Sequence, residues 1–503
     1  MPLNPLSLNI TTGIVGREYS ASVSGQNVGS TLEIVGNDGT PGFSVINGRV
    51  SHPGLPYAVN TVVLRETLPG TGTRDSRITV LADGIALGEA GLEVNLAERG
   101  LAGSLPSYIG PVANGTFIPS TKNAGQTKQM SRTGHFLRES VNGEMYIEIP
   151  NWVVNVGAPL GDTGPGAAAT VTASIEYPEG TIAAIATFGG NVQGTVPDGG
   201  TLRSDRLDVD APRGAQIFVR IYRECSAGTI YTQSLTLDGA QMSPGKSHFY
   251  TTATATDLTQ TAAPVYNSAG ATNIWYGPCA ILGPTQRATY AVIGDSRSFG
   301  AADRMSSKDR TTGSIVRSIG DHYGVLNLSV SSSRLLDFNT SSAQRRYLAG
   351  LCSHIVLELG FNDLSTGAAN VATIFGTALA SLPAGKTVIT TTMEPQTTST
   401  DSWVTTANQT ISDATRNADR ITENTRRRAG IAGVAVCWEV ADVVEANAAG
   451  VLTRGGGYWG CLTASGIVGA SGSALTPDGT HAGYAGNKLI QDSGNVRPSG
   501  FGI

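Results

Sequence analysis

Four short stretches carry side chains that could act together on a carbonyl group. Residues 290–300, YAVIGDSRSFG, run as an apolar strand into Gly-Asp-Ser and deliver Ser296 at its exit. Residues 327–334, NLSVSSSR, place Ser331, Ser332 and Ser333 after a second apolar run. Gly360-Phe-Asn-Asp363 sets the amide of Asn362 after a third, and Asp478-Gly-Thr-His481 puts a carboxylate three residues ahead of an imidazole. A serine hydroxyl is a weak nucleophile until a neighbouring base takes its proton. His481 is of the type that takes and returns protons at neutral pH. Asp478 can hold the other ring nitrogen if the segment turns, fixing the tautomer. The chemistry would be nucleophilic attack on an acyl carbon, and the resulting oxyanion would need N–H donors.

Each stretch alone has a plainer reading. Gly-Asp-Ser and Gly-x-Asn-Asp are turn signals, and Asp-x-x-His ahead of a helix can be a cap with a flanking imidazole. What matters is whether the surrounding elements bring the four together. After about residue 285 the pattern alternates between strands and helices. Apolar runs at 289–293, 325–328, 354–359, 387–391 and 434–438 read as strands covered on both faces. Segments 312–323, 408–428 and 482–490 read as helices. This predicts an α/β domain with a mostly parallel sheet, in which functional residues gather beyond the carboxyl ends of the strands. All four stretches fall at such ends or near the C-terminus.

The first half reads differently. Short β-rich segments at 7–10, 20–24, 31–35, 43–46, 61–65 and 77–81 alternate with turns such as Asn37-Asp-Gly39, predicting two stacked antiparallel sheets in a small domain over 1–85. Residues 86–130 read as an irregular linker. From 131 to 285, strands at 144–149, 169–176, 181–188, 216–222 and 229–235 predict a second, jelly-roll-like β-sandwich.

The bulk numbers bound the function. The 503 residues suggest about three domains. A net charge of −5, with no basic run longer than Arg426-Arg427-Arg428, argues against nucleic acid as a partner. Five scattered cysteines without a CxxC and six scattered histidines argue against a metal site. Cys352 and Cys437 read as buried thiols, and a disulfide among the other three stays open. The start, MPLNPLSLNITTG, has neither a basic nor an apolar leader segment. No stretch approaches the ~20 apolar residues of a membrane span.

In sequence order, strand-GDS, strand-NxSxSS, strand-GxND and a terminal DxxH resemble the SGNH (GDSL-type) hydrolases over 286–494. The resemblance implies a flavodoxin-like parallel sheet and a serine esterase without metal or cofactor. Ser296 would be its nucleophile, His481 its base and Asp478 the partner of that base. The oxyanion donors would be the backbone N–H of Ser296, a backbone N–H at Ser332 and the side-chain amide of Asn362. Ser332 departs from the family, which usually has glycine there; a left-handed backbone at that position would be strained. Asp295 and Asp363 read as braces. Arg297 is either internally paired or set to meet an anionic sugar. Glu394 is a candidate rim residue, and Trp403 and Tyr458-Trp459 are candidate sugar platforms.

The first module resembles the immunoglobulin-like domains of phage virion proteins, and the whole order resembles a phage tail fibre or tailspike component. That implies a virion-tail location and an O-deacetylase acting on bacterial surface polysaccharide, capsule or lipopolysaccharide. The sandwich would be a candidate carbohydrate-binding module, other virion tail proteins would be partners, and the assembly would be a homotrimer. Two alternatives stand beside it: a non-catalytic receptor-binding or structural virion protein with a vestigial site, and a bacterial carbohydrate esterase.

Overall fold

The computed structural model describes residues 107–156, 161–232, 255–261, 276–303, 311–466 and 468–496, together with the backbone of strands between residues 7 and 83 and at 248–251. The chain divides into two compact units. One is Met1–Ser104 with Asp492–Gly494 and Pro498–Ile503; the other is Leu105–Gln491 with Asn495–Arg497.

Among its described residues the first unit has two four-stranded sheets. One runs in the order Ser7–Leu8, Tyr19–Ser24, Arg49–His52, Ser44–Ile46; the other runs Thr12–Ile14, Gly72–Asp83, Val59–Leu68, Thr31–Ile34. All pairs are antiparallel except Thr12–Ile14 with Gly72–Asp83. Six of these strands overlap the segments the sequence predicts; Thr12–Ile14 and Arg49–His52 do not.

In the second unit a β-sandwich and an α/β sheet share their packing. One sandwich sheet is built around Lys128–Leu137, Gln216–Glu224 and Ala169–Glu176; the other has the order Thr201–Arg203, Tyr146–Pro150, Ala280–Thr285, Tyr108–Pro111. Residues 108–123, expected to be irregular, therefore belong to the sandwich: Tyr108–Pro111 pairs with Ala280–Thr285, and Thr121–Asn123 with Thr229–Tyr231. Those strands are two to four residues long and interrupted by Gly and Pro, too short for a period of two to stand out. Residues 128–130 of the expected linker likewise begin the strand Lys128–Leu137, while its residues 86–106 and most of the expected 495–503 tail lie outside the described residues.

The strand Ala280–Thr285 explains the shared core. Ile281 packs into the sandwich interior with Ile147, Val171 and Val219. Its neighbours Ala280 and Leu282 point the other way and pack with Ala291, Leu326 and Leu357 of the α/β sheet. Alternate side chains of one strand thus serve two cores. Tyr108 reinforces the join by donating its hydroxyl to the Arg287 carbonyl at 2.9 Å.

The α/β sheet has five parallel strands: β1 (Thr289–Ile293), β2 (Gly324–Asn327), β3 (His354–Leu357), β4 (Thr387–Thr391) and β5 (Val436–Trp438), in the order β2-β1-β3-β4-β5. This is the flavodoxin-like order, whose direction of growth reverses beside β1 and opens a crevice at the strand's carboxyl end. The apolar runs lack alternation because both faces are covered. Ala291 and Ile293 meet the helices Leu335–Thr340, Ala343–Gly350 and Ala368–Ala380, while Tyr290 and Val292 meet Ser314–Ile319 and Tyr484–Ser493. Beside β2, Phe117 of the sandwich bridges to Asn327 and covers that edge.

Among the described residues no helix is long and apolar enough to cross a membrane. All five cysteines are free thiols. The basic run 426–428 ends the helix Ala414–Arg428 in ion pairs: Arg426 and Arg427 with Glu423, and Arg428 with Glu439 and Asp442.

Candidate active site

At the exit of β1 the chain turns within two residues into the short helix Ser296–Phe299. Gly294 is required there: a Cβ would lie 2.4 Å from a Glu358 oxygen and 2.6 Å from the Ser298 Cβ. Asp295, wholly buried, caps the helix by accepting the Arg297 N–H at 2.9 Å. Its own N–H donates to Glu358 Oε2 at 2.9 Å. Burial raises the pKa of both carboxyls, and for Glu358 the nearby Asp295 adds to it. Asp295 is thus a brace.

Ser296, 9% exposed, lies at this turn with its Oγ 2.8 Å from His481 Nε2. The other ring nitrogen, Nδ1, is 2.6 Å from Asp478 Oδ2. Asp478 Oδ1 accepts the backbone N–H groups of Thr480 and His481, both at 2.9 Å. Partial burial works against its ionised form, but these three hydrogen bonds outweigh it and hold the carboxyl down at about 2. An ionised carboxylate only accepts, so Nδ1 must carry the proton. In the neutral imidazole Nε2 then keeps its lone pair and can accept the serine O–H. The structure therefore brings the hydroxyl, imidazole and carboxylate into one chain, from segments about 180 residues apart in sequence.

The turn that folds Asp478 back on His481 depends on Gly479. Its φ is +75°, and a Cβ would lie 1.9 Å from the Thr397 carbonyl oxygen. The Gly479 carbonyl accepts the indole N–H of Trp459 at 2.9 Å. Trp459 is fully buried, so it holds the histidine loop rather than stacking on a sugar. Trp403, half-buried, donates its indole N–H to Thr397 Oγ1 at 3.0 Å and packs beside the same turn.

Asn362 opens the 3-10 helix Phe361–Thr366 beyond β3. Its Nδ2 donates to the Ser333 carbonyl at 3.0 Å and approaches Asp295 Oδ2 at 3.4 Å. Both partners are acceptors, which fixes the amide's orientation. One N–H is anchored and the other is held only by a long contact. Asp363 ties this loop to the serine block by accepting the Leu335 N–H at 2.8 Å, at the head of the helix Leu335–Thr340. Ser332 is exposed in the turn 330–333, closed by Ser333 N–H to Val330 O at 3.1 Å. Its φ is +66°, the left-handed conformation that strains serine and suits glycine. Neither Ser296 N–H nor Ser332 N–H has an acceptor among the described residues.

The structure decides between the two readings of Arg297 and, as with Trp459, corrects the expectation for Glu394. Arg297 is internally paired: its guanidinium meets Glu394 Oε2 at 2.8 Å, lies 3.5 Å from the Phe361 ring centre and is shut off from any anionic sugar. Glu394, its partner, is buried and is not a rim residue. Sequence reasoning also missed Arg427. This fully buried side chain donates to the carbonyls of Glu358, Leu359 and Thr391, bracing the carboxyl ends of β3 and β4. Nothing in a helix-terminal basic run distinguishes such a residue. A crevice no larger than a water molecule, lined by Phe361, Gln396, Asp413, Arg416, Asn417 and Arg420, adjoins both key loops. Phe361 precedes Asn362, and Gln396 Nε2 donates to Thr480 Oγ1 at 3.1 Å.

No family model matches the chain, and no curated protein matches it. Among solved structures it is similar to an acetyl xylan esterase from the rumen bacterium Butyrivibrio proteoclasticus, 10% identical over 78% of this chain and 97% of that one, with a TM-score of 0.25. It is also similar to a GDSL-like lipase from Bacteroides ovatus, 10% identical over 73% and 81%, TM-score 0.25. A third is a salicylyl-acyltransferase from a tetracycline biosynthetic pathway, 10% identical over 95% of both chains, TM-score 0.25. At such scores these likenesses carry no argument about this chain, and its chemistry is read from its own geometry.

Proposed function

We propose that this protein is a serine esterase that removes acyl groups, acetyl foremost, from a polysaccharide. The observation that carries the reading is the Ser296–His481–Asp478 chain, with contacts of 2.8 and 2.6 Å. In this reading Ser296 Oγ attacks the ester carbonyl as its proton passes to His481 Nε2. Asp478 stabilises the imidazolium that forms. The oxyanion takes the free N–H of Ser296, the loosely held N–H of Asn362 and the N–H of Ser332. Collapse releases the sugar hydroxyl, which takes the proton from His481. Water then enters by the same route in reverse and frees the acid and the serine.

One feature favours a large, polymeric substrate. Asp478 and His481 stand at the rim, with 46% and 20% of their side chains exposed, so an acyl group hanging from a large chain can reach the serine.

The biological setting in this proposal is a virion tail that meets capsule or lipopolysaccharide, as a homotrimer among other tail proteins. It rests on the order of modules along the chain. The decisive experiment is hydrolysis of p-nitrophenyl acetate by the full chain and by Ser296→Ala, followed by mass spectrometry of acylated surface glycans. Turnover by the parent and none by the variant supports the reading. Equal rates, or tight glycan binding without loss of acyl mass, overturn it in favour of a receptor-binding role.

A further inference from the structure

A buried carboxylate links the sandwich to the catalytic loops. Asp162 lies in the strand Gly161–Thr163, which pairs with Val153–Asn155 of the sandwich. Its backbone is clamped to the α/β layer: the Asp162 N–H donates to the Ser341 carbonyl and the Ser341 hydroxyl donates to the Asp162 carbonyl, both at 2.9 Å. The approach is so close that a Cβ on Gly161 would fall 2.1 Å from that Ser341 oxygen.

The Asp162 side chain performs two tasks. Oδ2 accepts the backbone N–H groups of Gln344 and Arg345 at 3.0 and 2.9 Å. These belong to the first turn of the helix Ala343–Gly350, whose own N-cap residue, Ser342, turns its hydroxyl to the Phe338 carbonyl instead. The cap is therefore supplied from a segment about 180 residues away. Oδ1 holds Arg345 Nε at 2.8 Å, with both side chains almost fully buried. The other end of that guanidinium, Nη1, donates to Ser333 Oγ at 3.2 Å. The Ser333 carbonyl in turn anchors Asn362 Nδ2 at 3.0 Å.

We infer that Asp162 is a positioning residue for the Asn362 amide, acting through Arg345 and Ser333, so that the β-sandwich sets the oxyanion site of the α/β layer. The inference rests on the esterase reading for its catalytic consequence, and on the hydrogen-bond chain alone for its structural one. Arg345 suits the task because its planar fork reaches two partners at once, which the single ammonium of lysine does not.

The test uses the full chain with Ser333→Ala and Arg345→Lys, which keeps a cation beside Asp162 but loses the reach to Ser333. Each is expected to lower kcat on p-nitrophenyl acetate about tenfold, equivalent to ~1.4 kcal/mol, with KM unchanged. The double variant is expected to be no slower than either single one, because both cut the same chain. Amide hydrogen exchange in 358–366 is expected to speed up in both variants, a readout independent of activity. A parent without esterase activity would remove the catalytic claim only, and exchange would still decide the structural one. Multiplying losses in the double variant, or unchanged kcat together with unchanged exchange, would overturn the inference.

Discussion

Arg297 and Glu394 form a salt bridge of 2.8 Å, both side chains almost completely buried, one residue along from the nucleophile. Neither faces substrate. The pair joins the short helix that carries Ser296 to the chain beyond β4, where Arg297 also donates to the Glu394 carbonyl at 2.9 Å. Removing one partner leaves a charge buried alone. Arg297→Ala is expected to cost about 3–5 kcal/mol, read from urea unfolding curves. The double variant Arg297→Met/Glu394→Met is expected to recover most of that loss, since no charge is then stranded. Equal instability of single and double variants would show that packing, not charge, sets the cost.

Ser332 occupies a backbone conformation made for glycine. A left-handed φ costs a non-glycine residue about 1–2 kcal/mol, partly offset because glycine is freer when unfolded. Ser332→Gly is therefore expected to raise stability by about 1 kcal/mol while leaving turnover of p-nitrophenyl acetate within about twofold, since the backbone donor is kept. Thermal unfolding and initial rates check both halves. Ser332→Val is expected to move the other way, because β-branched side chains tolerate this region worst.

Asp478 ties stability to pH with a definite sign. Its carboxyl sits at about 2 in the fold, below the ~3.9 of a free aspartate, so the ionised form stabilises the folded state. That contribution is present above pH ~4 and fades as pH falls through 4 towards 2. The stability gap between the parent and Asp478→Asn should thus be widest above pH 4 and close near pH 2 in denaturant titrations. At neutral pH the same variant can present the wrong imidazole tautomer to Ser296. Its kcat is expected to fall by about 10³–10⁴ with KM little changed.

The site was legible in sequence where chemistry is local. Gly-Asp-Ser, Gly-x-Asn-Asp and Asp-x-x-His each sit in one short loop, and the parallel strands announce themselves by unbroken apolar runs. The left-handed turn at Ser332 stayed open in sequence, because a serine does not announce a positive φ as a glycine does. What stayed hidden is long-range and non-periodic. The Asp162–Arg345 and Arg297–Glu394 pairs join residues 183 and 97 positions apart, and a lone acid or arginine leaves no spacing to read. The helices Leu335–Thr340, Ala343–Gly350 and Ala368–Ala380 were missed for a related reason. They are short or rich in Ala, Gly and Thr, and tertiary packing rather than a strong apolar stripe fixes them. Burial likewise overturned Trp459, since an aromatic on a loop looks the same in sequence whether it faces sugar or core.

The histidine loop offers the sharpest separation of folding from catalysis. Gly479 lies between Asp478 and His481 with φ +75°, and any Cβ would strike the Thr397 carbonyl at 1.9 Å. Gly479→Ala must therefore move the 476–481 turn or the strand Thr397–Ser399 beside it. Either shift lengthens the 2.8 Å contact between His481 and Ser296, and proton transfer weakens steeply with such misalignment. The variant is expected to fold, to lose about 2–3 kcal/mol of stability from strain, and to lose kcat by a factor of about 10² or more. Circular dichroism, urea midpoints and p-nitrophenyl acetate rates measured on one preparation would separate the effects. A folded Gly479→Ala protein with parental turnover would mean that the position of His481 is not what limits the reaction.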